Sequence, residues 1–148
     1  MLAILAALGA WTIVIPYLGP AVGLKLHVAA SVEVVDHVVP GAAILLVTVP
    51  TLVLERRGRV LPGDTIAVAA AALTFLAGFW VTSTHVPLIA EAARGESPWG
   101  AAIWHNSAGL PVAAISLWLL AGPLFGREPV QREAGAVRRS RGSATNSE

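Results

Sequence analysis

Apolar residues dominate four long stretches of this chain, and short segments between them carry most of the charged residues. The stretches run from Leu2 to Leu18, Val38 to Leu54, Thr65 to Leu88 and Ala101 to Phe125. At about 1.5 Å of rise per residue, each stretch covers most or all of the roughly 30 Å of hydrocarbon in a bilayer. Lipid offers no hydrogen-bond partner to the backbone, so each stretch is predicted to be a helix.

The composition indicates a membrane rather than an aqueous environment. Hydrophobic residues make up 55% of the chain and charged residues 13%, and the mean hydropathy is +0.70. Such values are unusual for a soluble domain. We therefore predict an all-α fold, a polytopic four-helix bundle over residues 1–126, in the inner membrane of a bacterium and with the lipid bilayer as its main partner.

The basic residues predict the orientation of these helices. Eight of the ten lie between the second and third stretches or after the fourth: Arg56, Arg57, Arg59, Arg127, Arg132, Arg138, Arg139 and Arg141. Only Lys25 and Arg94 fall on the other side. The positive-inside rule then places both termini in the cytoplasm. Residues 127–148 lose the apolar pattern and are predicted to form a disordered basic tail.

The chain contains an internal repeat. "LGAWTIVIPY" aligns with "AGFWVTSTHV" at a shift of 69 residues, and "HVVPG" aligns with "HNSAG" at a shift of 68. The first alignment pairs Gly9 with Gly78, and the second pairs His37 with His105. A repeat of two helices, first over about residues 5–54 and again over about 65–125, predicts two copies with the same orientation in the membrane.

The motif "GAWTIVIPYLG", followed by a second helix of the type "VVDHVVPGAAILLV", resembles the two-helix repeat of the SPW-repeat family of bacterial membrane proteins. The resemblance would cover most of residues 5–122. The chain also contains a literal Ser97-Pro98-Trp99 just before its fourth stretch. The resemblance implies a duplicated helical hairpin in a membrane, and it implies no particular reaction.

Ionisable residues interrupt the apolar pattern at "VEVVDHVVPG". Glu33, Asp36 and His37 enter at the predicted outer edge of the second helix. Counting residues from the cytoplasmic ends places His85 and His105 at a similar depth. Glu33 and His37 are four residues apart and share a helix face. We therefore predict a cluster of histidine and carboxylate groups at the outer face.

Several functions fit that cluster. The preferred interpretation is interfacial packing, in which these groups hydrogen-bond one another and fix the helix register. A zinc or copper site would use His37, His85 and His105 with Glu33 or Asp36. A haem b site would use His37 and His105 as axial ligands, with Gly41 and Gly109 making room for the macrocycle. A proton or ion pathway in an oligomer is a further alternative.

The remaining features narrow the function without identifying it. The chain has no cysteine, which excludes disulfides and thiolate metal sites, and no basic aromatic motif indicates nucleic-acid binding. Trp11 and Trp80 are predicted to pack in the repeat core, and Trp99 and Trp104 to lie in an outer aromatic belt. The sequence favours a small structural or partner-binding membrane protein over an enzyme, assembling with itself or with a membrane partner.

Overall fold

The computed structural model describes residues 1–23 and 30–125, and these residues are helical or lie in short connections. The helices in chain order are α1 (Leu2–Leu18), a 3-10 turn (Gly19–Val22), α2 (Ala30–Glu33), a π-helix (Val34–Val38), α3 (Val39–Arg56), α4 (Thr65–Thr84), α5 (Val86–Ala93), α6 (Trp99–His105) and α7 (Gly109–Phe125). The predicted tail of residues 127–148 lies outside the described residues. So does His27, the fourth histidine of the chain.

Two helical segments of the described chain are long and apolar enough to cross a membrane. They are Ser31–Arg56, which joins α2, the π-helix and α3, and Thr65–Ala93, which joins α4 and α5. Together, α6 and α7 supply a third if they are taken as one segment bent by 41°. The shorter Leu2–Leu18 is also apolar. The all-α class is confirmed, and segments of this length and apolarity are consistent with the predicted membrane location. The four-span arrangement and its orientation stay predictions.

The outside of the molecule is apolar and several fully buried side chains are polar. Leu46 is 76% exposed and Trp118 is 72% exposed. Eight polar side chains of the described residues are buried: Thr12, Thr48, Thr51, Thr74, Ser116, His37, His85 and His105. A soluble protein distributes these residue types the other way round. The distribution is the one expected when lipid covers the outer surface.

The long helices pack in pairs. Helix α1 lies against α3, and α4 lies against α7, while α3 also contacts α4 and α1 contacts α7. The apolar core contains Leu5, Ile44 and Val112, contributed by α1, α3 and α7. The π-helix, at the start of the second apolar stretch, also contacts α1 and α4.

Glycines allow the helices of each pair to approach closely. A Cβ atom on Gly9 would lie 2.7 Å from Cγ2 of Ile44, and one on Gly78 would lie 2.7 Å from Cγ1 of Val112. Gly78 follows Gly9 by 69 residues and Val112 follows Ile44 by 68, so the two contacts correspond at the shifts of the predicted repeat. The internal duplication stays a prediction, and this correspondence supports it.

Candidate metal centre

Three buried histidines from separate helical segments meet in the described structure. His37, His85 and His105 each offer one ring nitrogen, and these nitrogens all lie within 4.8 Å of one another. The ring centroids are 4.8 Å apart for His37 and His85, 5.4 Å for His37 and His105, and 5.8 Å for His85 and His105. The predicted convergence of the three histidines is therefore confirmed, and their place on the outer side of a membrane stays a prediction.

A π-helix presents His37. The turn spans Val34–Val38, and the amide of Val39 donates to the carbonyl of Val34 across five residues. Pro40 follows directly and lacks the amide hydrogen that the carbonyl of Asp36 would receive in a regular α-helix. A π turn adds one residue and shifts the hydrogen bonding past such a gap.

His85 lies between α4 and α5, where the first of these helices has ended and the second has not begun. Its Nδ1 is 2.6 Å from the carbonyl oxygen of Val81. A carbonyl oxygen only accepts, so Nδ1 carries the proton and donates it to this bond. In the neutral ring the other nitrogen, Nε2, then has a free lone pair, which is the state a metal ligand requires.

His105 is the last residue of α6, and α7 begins at Gly109 after a break. Its Nδ1 lies 3.4 Å from Nε2 of His37, and both side chains are buried. Within the described residues, Nδ1 of His37 has no hydrogen-bond partner. Irregular backbone is tolerated at membrane depth only where protein or a polar cavity covers it. Here three irregular segments meet at one cluster.

The two predicted carboxylates differ in their relation to the histidines. Oε2 of Glu33 is 3.6 Å from Nε2 of His37, so the predicted pair one helical turn apart is present. Asp36 is half-buried on the π turn. Within residues 1–23 and 30–125, no hydrogen bond or ion pair joins Asp36 to a histidine. The structure therefore pairs Glu33 with His37, one of the three histidines, and leaves Asp36 beside them.

The donor set suits a bare metal ion. Zinc bonds to imidazole nitrogen at about 2.0–2.1 Å, which makes the edge of a regular tetrahedron about 3.3 Å. The 3.4 Å between His37 and His105 matches that edge. The other separations are at most 4.8 Å, so small side-chain rotations would close the site. Imidazole is a preferred ligand of both zinc and copper.

The same geometry argues against haem between His37 and His105. Axial ligands of one haem approach the iron from opposite faces of a flat macrocycle. The two rings here are 5.4 Å apart between centroids, and His85 lies against both of them. In this structure Nδ1 of His105 contacts Nε2 of His37 directly at 3.4 Å, with no macrocycle-sized gap between these two nitrogens. The cluster favours a single ion over a haem group.

Two tryptophans near the cluster form contacts that the sequence did not predict. Nε1 of Trp11 donates to Oγ of Ser107 over 3.0 Å, and Nε1 of Trp104 donates to the carbonyl of Ile15 over 3.2 Å. The rings of Trp11 and Trp104 meet edge to face, with centroids 5.3 Å apart. The first bond joins α1 to the break after His105, and the second joins α6 to α1. In the sequence, the feature that could have indicated these contacts was Ser107, a polar residue two positions after His105.

The predicted core position of Trp80 is wrong, since its side chain is 48% exposed. Trp99, by contrast, is exposed, as an aromatic belt requires. Comparisons of the chain with protein-family models, curated proteins and solved structures found no match. The resemblance to the SPW-repeat family is therefore still a prediction, and the function has to be argued from the site.

Proposed function

We propose that this chain is a multi-pass membrane protein that binds a transition-metal ion, zinc or copper, through His37, His85 and His105. One observation carries the proposal: three buried histidines from three separate helical segments direct ring nitrogens to within 4.8 Å of one another. The role is one of binding rather than catalysis.

The polarity of the cluster supports this function. A buried polar group costs free energy unless it has a partner, and the cost is larger inside a membrane. In the neutral His85 ring, Nε2 has a free lone pair because Nδ1 donates to Val81. A metal ion would take up a lone pair for which the described residues provide no hydrogen-bond partner. The Val81 carbonyl would then orient the His85 ring, as the acceptor of the second ring N–H of a metal-ligating histidine commonly does.

The first test is the metal content of the full chain, purified in mild detergent, stripped with a chelator and reloaded with Zn²⁺ or Cu⁺. We expect about one ion per chain, and loss of that ion when His37, His85 or His105 is replaced by Ala. Thr48→Val is the matched control, because Thr48 is an equally buried polar residue of α3 and is not part of the cluster. A folded protein that takes up neither ion would overturn the proposal, as would uptake that is unchanged in all three histidine variants.

A second candidate function is structural, in line with the interpretation that the sequence favours. The contact between Nδ1 of His105 and Nε2 of His37 can hold α6 to the π-helix as a hydrogen bond in the absence of metal. In that case the protein is a scaffold that assembles with itself or with a membrane partner. The same preparation separates the two functions: a metal-free protein that loses thermal stability on His105→Ala supports the scaffold.

The proposed orientation has both termini in the cytoplasm of a bacterium and the histidine cluster near the outer face. The unequal distribution of basic residues supports it. The chain has no cysteine, so single cysteines can be introduced at the exposed Arg59 and Glu96. In intact spheroplasts, a membrane-impermeant maleimide should label Glu96→Cys and leave Arg59→Cys unlabelled. The opposite pattern would invert the topology.

A further inference from the structure

Glu33 stands at the entrance to the histidine cluster. It is the last residue of α2, directly before the π-helix that carries His37. Its side chain is 22% exposed, whereas that of His37 is almost fully buried. Glu33 therefore connects the buried imidazoles with the surroundings of the protein.

We propose that Glu33 is the fourth ligand of the ion held by His37, His85 and His105, and that it makes the site closed and selective for Zn²⁺ over Cu⁺. This inference rests on the proposed metal binding. It adds the number of protein ligands, the preference of the site for Zn²⁺ over Cu⁺, and the role of the ion.

The distances around His37 support a fourth ligand at this position. Oε2 of Glu33 is 3.6 Å from Nε2 of His37, and Nδ1 of His105 is 3.4 Å from the same atom. Both separations are within a few tenths of an ångström of the tetrahedral edge of about 3.3 Å expected for zinc. Two of the separations that a shared ion requires, from Glu33 to His37 and from His105 to His37, are thus already present.

The ligand types of the site, imidazole with a carboxylate, favour Zn²⁺ over Cu⁺. Three neutral imidazoles leave the whole charge of the ion uncompensated in a low-dielectric environment, where isolated charges are costly. One carboxylate reduces the net charge of a Zn²⁺ site to that of a single cation. Soft thiolate and thioether ligands select Cu⁺, but the chain has no cysteine and only one methionine, Met1. The ligand chemistry of the chain therefore lies on the zinc side.

A closed site implies a structural role for the ion. Catalytic zinc keeps one position open for water, whereas structural zinc has four protein ligands. Here the four ligands come from the end of α2, the π-helix, the junction of α4 with α5, and α6. An ion bound to all four would tie these segments together where their backbones are irregular.

The experiment uses Co²⁺ as a spectroscopic probe of the full chain, together with Zn²⁺ affinity measured by competition with a chromophoric chelator. Tetrahedral Co²⁺ with four ligands absorbs visible light far more strongly than Co²⁺ with five or six. We expect an intense spectrum in the unaltered protein and a spectrum with shifted bands in Glu33→Gln, where water or the amide oxygen replaces the carboxylate, with a Zn²⁺ affinity reduced at least about tenfold. Gln has the shape of Glu, so the fold should be retained.

Asp36→Asn is the matched control, because it removes the neighbouring carboxylate that is not joined to a histidine. We expect it to keep the intense cobalt spectrum and the Zn²⁺ affinity. The inference is overturned if Glu33→Gln behaves like the unaltered protein, or if both variants lose affinity equally, which would indicate a general effect of charge. Loss of the cobalt spectrum in His37→Ala alone would preserve the proposed function while removing Glu33 from the site. Absence of Co²⁺ and Zn²⁺ binding in the unaltered protein would overturn both.

Discussion

The helix pair α1 and α3 and the helix pair α4 and α7 share their packing but not their chemistry. In each pair a glycine of the first helix lies against a branched apolar side chain of the second: Gly9 against Ile44, and Gly78 against Val112. The buried hydroxyl residues Thr48 and Ser116 also correspond at a shift of 68. Among the proposed metal ligands, only His37 and His105 follow this correspondence.

The differences fall at the candidate site. The residue of α1 that corresponds to His85 is Pro16, and the residue of α6 that corresponds to Glu33 is Ala101. One pair therefore offers a histidine and a carboxylate, and the other offers two histidines. The proposed repeat is therefore shared at packing positions and differs at the proposed ligands, and such departures from a local rule are expected at functional sites.

The largest expected effect tests the difference between Pro16 and His85. Replacing His85 by Ala removes one of three imidazole ligands, and we expect Zn²⁺ affinity to fall about a hundredfold or more. Replacing Pro16 by Ala changes the corresponding position of the other pair and should leave affinity unchanged. The measurement is competition for Zn²⁺ with a chelator of known affinity. Equal losses in both variants would mean that helix geometry, rather than ligation, controls binding.

A smaller effect tests the shared packing. A Cβ atom at Gly78 would lie 2.7 Å from the backbone nitrogen of Ala113, whereas at Gly9 the atoms closest to it belong to the side chain of Ile44. A side chain can move aside more easily than a backbone. We expect Gly78→Ala to cost about 3 kcal/mol of stability and Gly9→Ala about 1 kcal/mol, within the usual range for overpacking.

Unfolding of both glycine variants in the same detergent would measure the difference, with the metal removed to separate packing from ligation. If Gly9→Ala were the more damaging, the apparent similarity of the two contacts would conceal a tighter α1 interface. If neither variant changed stability, the close approach of the helices would contribute little.

The sequence predicted where the helices lie better than where they break. Apolar run length located α1 at Leu2–Leu18, and the predicted Val38 to Leu54 became Val39–Arg56. The third and fourth stretches were predicted as continuous, but they break at His85 and after His105. Hydropathy reports the environment of side chains and contains no information about which backbone hydrogen bonds are interrupted. Counting residues still placed the three histidines at one depth, and that was enough to predict their convergence.

The sequence could not predict which tryptophans face the protein. Lipid is as apolar as a helix interface, so an apolar side chain gains little by turning inward. Trp80 is exposed for this reason, although it corresponds to Trp11 at the repeat shift. Trp11 faces the protein because its ring nitrogen donates a hydrogen bond to the hydroxyl of Ser107. In this chain the small polar residues are the better indicators of the interior.

The smallest expected effect compares the two corresponding hydroxyl residues. Oγ1 of Thr48 donates to the carbonyl of Ile44 over 2.7 Å, while Oγ of Ser116 is buried without a partner in the described part of the chain. Ser116→Ala removes an unsatisfied group and should stabilise the protein by about 1 kcal/mol. Thr48→Val removes a hydroxyl whose bond goes to its own helix, so we expect a change within about 0.5 kcal/mol. Parallel unfolding curves of the metal-free variants measure the contrast. Equal shifts would mean that the Ser116 hydroxyl has a partner in the membrane, such as water or a carbonyl of its own helix, and that the two positions are alike in bonding as well as in burial.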